Sequence, residues 1–175
     1  MNKNNYIVEN ALIFSAEAYK GKVHKISKKP YIAEICEVVS VMAAIDPRDK
    51  DLMASAALIN ITDNTDVTYD DIEKEFGTRI KNILISASAK DADSIRKLPL
   101  KIKMLILADK TAELRCLTRE YSTYNERIWS DLLGEDPKVL AKYYYDLNNS
   151  FFEFEEYDIY SEFERLVARL FVRHR

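Results

Sequence analysis

Residues 99–116 read PLKIKMLILADKTAELRC. After Pro99, the positions Ile102, Leu105, Ile106 and Cys116 recur at the spacing of one helix face, which predicts a long buried helix. Asp109 falls on the same stripe, and Glu113 lies one turn further along it. A carboxylate on an apolar face is costly unless it is hydrogen-bonded, paired or bound to a metal. The residue types alone leave two readings of Asp109, a satisfied core acid and a functional one.

The same periodicity extends to both sides. Ile7, Ala11, Phe14 and Ala18 mark one amphipathic helix, and Ile35, Val38, Val39, Met42 and Ile45 a second. Asp46-Pro47 reads as an N-cap followed by proline at the first helical position, opening an Ala-rich helix through Leu52, Ala56 and Ile59. Thr68 and Asp71 have capping-box spacing before a short helix that stops at Gly77. Ile80, Ile83, Leu84 and Ala87 begin the next. Asp136-Pro137 repeats the N-cap signal before Leu140, Tyr144, Leu147 and Phe151, and Tyr160, Phe163, Val167 and Leu170 close the chain. Residues 21–30, 60–67, 88–98 and 121–136 are the expected loops. The reading is an all-α, single-domain helical bundle over residues 1–175.

Composition narrows the function. With 3 Gly and 4 Pro in 175 residues, against roughly 12 and 9 for ordinary usage, the chain is poor in turn formers. No GxGxxG or GxxxxGK[ST] phosphate loop occurs. The net charge of −3 argues against a nucleic-acid binder. No apolar run reaches the length of a membrane span, and the polar start Met1–Asn5 lacks a signal-peptide pattern, so the cytoplasm is the default compartment. Cys36 and Cys116 are far apart without CxxC spacing and read as two buried thiols.

Two further segments carry chemistry. Lys20-Gly-Lys-Val-His-Lys-Ile-Ser-Lys-Lys29 holds five lysines and a histidine, and is either a phosphate-attracting loop or a solvated one. Asn60-Ile-Thr-Asp-Asn-Thr-Asp66 follows the Ala-rich helix and reads alone as a capped polar turn. The C-terminal part is aromatic-rich, from Tyr143, Tyr144 and Tyr145 to Phe151, Phe152, Phe154, Tyr157 and Tyr160. These rings either seal the core against the first helices or meet a protein partner or a second copy of the chain.

In their order, these segments resemble the HD-type hydrolase domain of the RelA/SpoT family and its small relatives, the metazoan SpoT homologues. The resemblance rests on Phe14–Lys22, Lys29-Pro-Tyr-Ile32, Ala56-Ala-Leu-Ile59, Asp66–Gly77 and Leu105-Ile-Leu-Ala-Asp-Lys110. It implies an HD-domain helical bundle. The family hydrolyses the 3′-pyrophosphate of (p)ppGpp with one Mn²⁺, held by a His after "PYI", the His-Asp pair and the Asp of "LAD". In this sequence those positions carry Glu34, Asn60, Ile61 and Asp109, so one ligand of four remains. The acidic pair near the family's attacking water aligns with Asp63 and Asn64, and the family's Asn four residues after the "LAD" Asp is Glu113.

The resemblance therefore implies a degenerate, metal-free and catalytically inactive member that acts as a nucleotide-binding or partner-binding module: the metal makes the nucleophile by lowering the pKa of its bound water, and an aliphatic side chain at Ile61 coordinates nothing. Manganese is expected in active members and absent in this one. The ligand, if anionic, is placed between the Lys22–Lys29 loop and the Thr62–Thr65 loop. Lys22, His24, Lys25, Lys29, Tyr31, Asn60, Asp63, Asn64, Asp109 and Glu113 are its candidate contacts, with Lys28 alongside. Three other readings stay open: an active guanosine polyphosphate 3′-pyrophosphohydrolase with a remodelled site and Asp63 as base, a hard-cation site of Glu34, Asp63, Asp109 and Glu113, and an interaction module with no small ligand.

Overall fold

The computed structural model describes residues 6–24 and 27–174. Lys25, one of the candidate ligand contacts, and the polar stretch 1–5 lie outside the described residues. Ten α-helices make up the described chain: α1 Ile7–Ala18, α2 Ile32–Ile45, α3 Lys50–Leu58, α4 Ile61–Asn64, α5 Tyr69–Phe76, α6 Thr78–Ala87, α7 Ala92–Arg96, α8 Leu100–Tyr124, α9 Pro137–Ser150 and α10 Asp158–Phe171. The all-α expectation holds. Pairing of extended backbone among the described residues is limited to an antiparallel bridge between Val23 and Pro30. No helix of these residues is long and apolar enough to cross a membrane.

α3 is buried on every side from Leu52 to Leu58. Its small residues Ala54, Ser55, Ala56 and Ala57 let α1 and α2 approach closely, and α6 and α8 pack on it as well. Ser15 of α1 donates its hydroxyl to the carbonyl of Ala57, which ties the two helices across the contact. A larger side chain at Ala57 would overpack this junction, at a cost of about 1–3 kcal/mol. α8 is the longest helix at 25 residues, and α2 and α10 lie against it. Its buried stripe contains Ile102, Leu105, Ile106 and Asp109, as the spacing predicts.

The helix ends follow local chemistry. The Thr68 hydroxyl accepts from the Asp71 amide at 3.2 Å while Asp71 Oδ2 accepts from the Thr68 amide at 2.9 Å, completing the expected capping box. Gly77 links α5 to α6 at φ +87°, a conformation that glycine adopts without strain. Asp136 caps α9 at the Lys138 amide, 2.8 Å away, with Pro137 in the first turn.

Several expectations need correction. Asp46 ends α2 and does not open α3. Its carboxylate accepts from the Arg48 amide in a tight turn, and the N-cap is Asp49, which accepts from the Leu52 amide at 3.2 Å. Three of the expected loops contain helix. α4 occupies 61–64, α7 occupies 92–96 under an Asp91 cap, and α8 runs to Tyr124 before a π-helical turn at Ile128–Leu133. Such segments are too short to show a period. Cys116 is buried, but Cys36 stands on the exposed face of α2. The aromatic tail does seal a core, through Tyr144, Phe151, Phe154, Phe163 and Phe171. It does so against α8 and α9 more than against the first helices. Phe152 and Tyr157 remain exposed.

Candidate functional site

α8 presents Asp109, Lys110, Glu113 and Cys116 along neighbouring turns, because offsets of four and seven residues return to one helix face. Opposite them, α3 ends and Asn60 takes a left-handed conformation, φ +58°, before α4 begins. Asn tolerates this region better than most residues. The turn aims the Asn60 side chain at α8, where its Nδ2 donates to Asp109 Oδ1 at 2.9 Å. The Asn60 carbonyl in turn accepts from Asn64 Nδ2 at 2.8 Å. Ile61, one residue on, is buried in the core.

Asp109 is 6 % exposed. Burial raises its pKa to about 6, with Lys110 opposing the rise and Glu113 and Glu34 adding to it. The Lys110 ammonium lies 3.6 Å from Asp109 Oδ2 and 2.7 Å from Glu113 Oε2. Desolvation favours the neutral amine, but Glu113 and Asp109 outweigh it and hold Lys110 protonated. For Glu113, burial favours the acid form, but Lys110 and the Tyr144 hydroxyl keep it ionised. The cluster thus carries its own cation between two carboxylates.

Tyr19 and Tyr31 close this side. Their rings stack at 4.6 Å with planes 1° apart, and burial raises both phenol pKa values. The Tyr19 hydroxyl is buried near Asn64 without an aligned hydrogen bond. Beyond Tyr31, His24 Nε2 approaches Glu34 Oε2 at 2.9 Å. The N–H is not aligned on that oxygen, which has no hydrogen-bond donor of its own.

The structure therefore gathers Tyr31, Asn60, Asn64, Asp109 and Glu113 of the expected contacts, with Glu34 and His24 at the edge. Asp63 turns elsewhere and pairs with Lys90 at 2.7 Å. Lys22 and Lys28 are exposed, and Lys29 leans toward Glu120, 3.9 Å away. The space bounded by Asn60, Thr62, Asp63 and Ser88 measures about 10 Å³. That is room for one water. Of the four acids of the hard-cation reading, Asp63 pairs with Lys90 and Glu113 with Lys110.

Sequence reasoning missed Lys110, Tyr19 and Tyr144 as members of the cluster, and treated Cys116 as a plain core thiol. Lys110 follows Asp109 directly, so its charge was visible but its direction was not. For Cys116 the offset of seven from Asp109 was the available signal.

A Mn²⁺ ion does not fit these side chains. Ile61 offers no donor, the Asn60 amide points its N–H group at Asp109, and an ammonium already neutralises the acids.

Comparison with known proteins gives one family and one fold. The sequence profile of the HD domain matches residues 11–135. A metazoan SpoT orthologue that hydrolyses ppGpp superposes with a TM-score of 0.70 at 16% identity, over 95% of this chain and 94% of that one. The protein lmo0812 from Listeria monocytogenes EGD-e superposes with a TM-score of 0.67 at 18% identity, over 79% of this chain and 99% of its own. No curated protein sequence matches the chain.

Proposed function

We propose, for a chain that belongs to the HD domain family, a binding role without metal-assisted hydrolysis, directed at an anionic nucleotide of the guanosine polyphosphate kind. The observation that carries this reading is the 2.9 Å hydrogen bond from Asn60 to Asp109. It satisfies with a neutral amide the one carboxylate that the resemblance assigns to a metal. Ile61 beside it and the internal Lys110 support the same reading.

The anion is taken at the basic hairpin, outside the closed cluster. The Val23–Pro30 bridge and the hydrogen bond from the His24 amide to the Lys29 carbonyl, 2.8 Å, hold the hairpin's base. Lys22 and Lys28 project from it without an ion-pair partner among the described residues. Tyr31, next to Pro30, provides an aromatic edge. Exposed lysines attract phosphates through a field that physiological salt screens within about 8–10 Å.

A second reading, a protein-binding module, is favoured by the exposed Phe152 and Tyr157 at the turn before α10. A thermal-shift series separates the two. At 100 times its dissociation constant ppGpp should stabilise the chain by about 2.7 kcal/mol, with no pyrophosphate released in Mn²⁺. Release of pyrophosphate would favour an active enzyme, and no shift with any guanine nucleotide would favour the protein-binding module.

A further inference from the structure

His24, Glu34 and Cys116 meet beside Tyr31, whose ring centroid lies 5.7 Å from that of His24. One ligand atom from each lies within 4.8 Å of the others. The closest approaches are 2.9 Å between His24 Nε2 and Glu34 Oε2 and 3.9 Å between His24 Nδ1 and Cys116 Sγ. Three different elements supply the three residues: the hairpin, α2 and α8. Cys116 is buried, and the side chains of His24 and Glu34 are about one-seventh exposed. A cavity of about 60 Å³ opens between them, bounded further by Ser27, Glu37 and Arg119.

We propose that this cluster is a zinc site, with His24, Glu34 and Cys116 as protein ligands and the cavity as the fourth position. Nitrogen, oxygen and sulfur donors together suit Zn²⁺, and the thiolate disfavours Mg²⁺ and Mn²⁺. Adjacent ligand atoms on tetrahedral zinc stand roughly 3.3–3.7 Å apart, given Zn–N and Zn–S lengths near 2.1 and 2.3 Å. The 2.9 and 3.9 Å approaches are made by different nitrogens of the His24 ring, of which a single ion takes one; with one ligand atom from each residue within 4.8 Å of the others, closure needs a turn of the ring and shifts of up to about 1 Å. The cavity admits a water or one oxygen of an incoming anion.

Surrounding groups complete the site. Arg119 lines the same cavity as Cys116 and is held by Glu37 at 2.7 and 3.0 Å. One Glu34 oxygen is buried without a hydrogen-bond donor. Zinc binding releases the thiol proton, and the second ring proton of His24 where it is held, to solvent. The dication then joins one thiolate and one carboxylate in a neutral complex.

The test is a Co²⁺ titration of the reduced, metal-stripped full chain, followed by Zn²⁺ competition. The proposal expects one equivalent of Co²⁺, a near-ultraviolet sulfur-to-cobalt band, and its loss when Zn²⁺ is added. Cys116→Ser should abolish the band. His24→Gln, a change on the hairpin and outside the core, should weaken binding by more than the roughly 10–100-fold that loss of an outer hydrogen bond costs. Cys36→Ser, at the exposed thiol, should leave the titration unchanged. X-ray absorption of the zinc-loaded wild-type protein should show one sulfur and one imidazole, and this readout does not depend on the folding of any variant. A wild-type protein without the band, or a band that survives Cys116→Ser, would overturn the proposal. Neither result bears on nucleotide binding, which is measured separately.

Discussion

Asn60 reaches across from the end of α3 to donate to Asp109 of α8 at 2.9 Å. Half-buried amide and buried acid satisfy each other, so the junction between the two helices closes without an ion. Lys110 and Glu113 settle the remaining charge next to it at 2.7 Å. The result is a self-contained polar centre in a fold whose relatives include a ppGpp hydrolase.

Asp109 gives a pH-dependent stability. Its folded-state pKa is raised from 3.8 to about 6, so the folded state holds the proton more tightly than the unfolded one. Stability is therefore fully present below pH 4, is lost as pH rises through 6, and stays reduced above it. Two pKa units correspond to about 3 kcal/mol. Asp109→Asn, which keeps the acceptor for Asn60, should be more stable than wild type at pH 8, with the gap closing at pH 4. Urea unfolding across that range measures it. A pH-independent difference would contradict the assignment.

Ile61 tests whether the former ligand position has become core. Ile61→Ala should cost about 2–5 kcal/mol, the range for deleting a buried aliphatic side chain. Chemical denaturation gives the value. A cost below about 1 kcal/mol would place Ile61 outside the packed core, since well-packed sites do not collapse freely.

The Tyr19 hydroxyl is buried without an aligned partner. Tyr19→Phe should keep the stack on Tyr31 and leave stability unchanged or raise it by up to about 1 kcal/mol, since an unsatisfied polar group is removed. A loss of more than 1 kcal/mol would reveal a hydrogen bond from that hydroxyl.

For the anion site, Lys22→Ala and Lys28→Ala should each weaken ppGpp binding, and raised salt should weaken it further. Arg173→Ala, near the end of the chain, should have no effect. Calorimetric titration reads all three. Equal affinity in the double lysine variant would remove the hairpin from the site.

Much of this architecture was legible from local rules. The period of α8, the Thr68–Asp71 capping box and the Asp136-Pro137 start each depend on neighbouring residues, and each appears where expected. α4 and α7 were not legible, because four or five residues complete barely one turn. The choice between Asp46 and Asp49 as cap turns on backbone angles after Pro47 that the sequence does not display. The site shows the same division. Asp109 and Asn60 were identifiable by position, but Asp63 turned to Lys90 and Lys110 turned inward through contacts between distant segments. The meeting of His24 with Cys116 spans 92 residues and depends on the hairpin folding back over α8.

The most direct test of the central claim follows the electron paramagnetic resonance of free aqueous Mn²⁺ during titration with the chain. A centre closed by Asn60 and Asp109 predicts that the signal is not quenched stoichiometrically, and that wild type and Asp109→Asn behave alike. Loss of one equivalent of signal in wild type, abolished in Asp109→Asn, would contradict it.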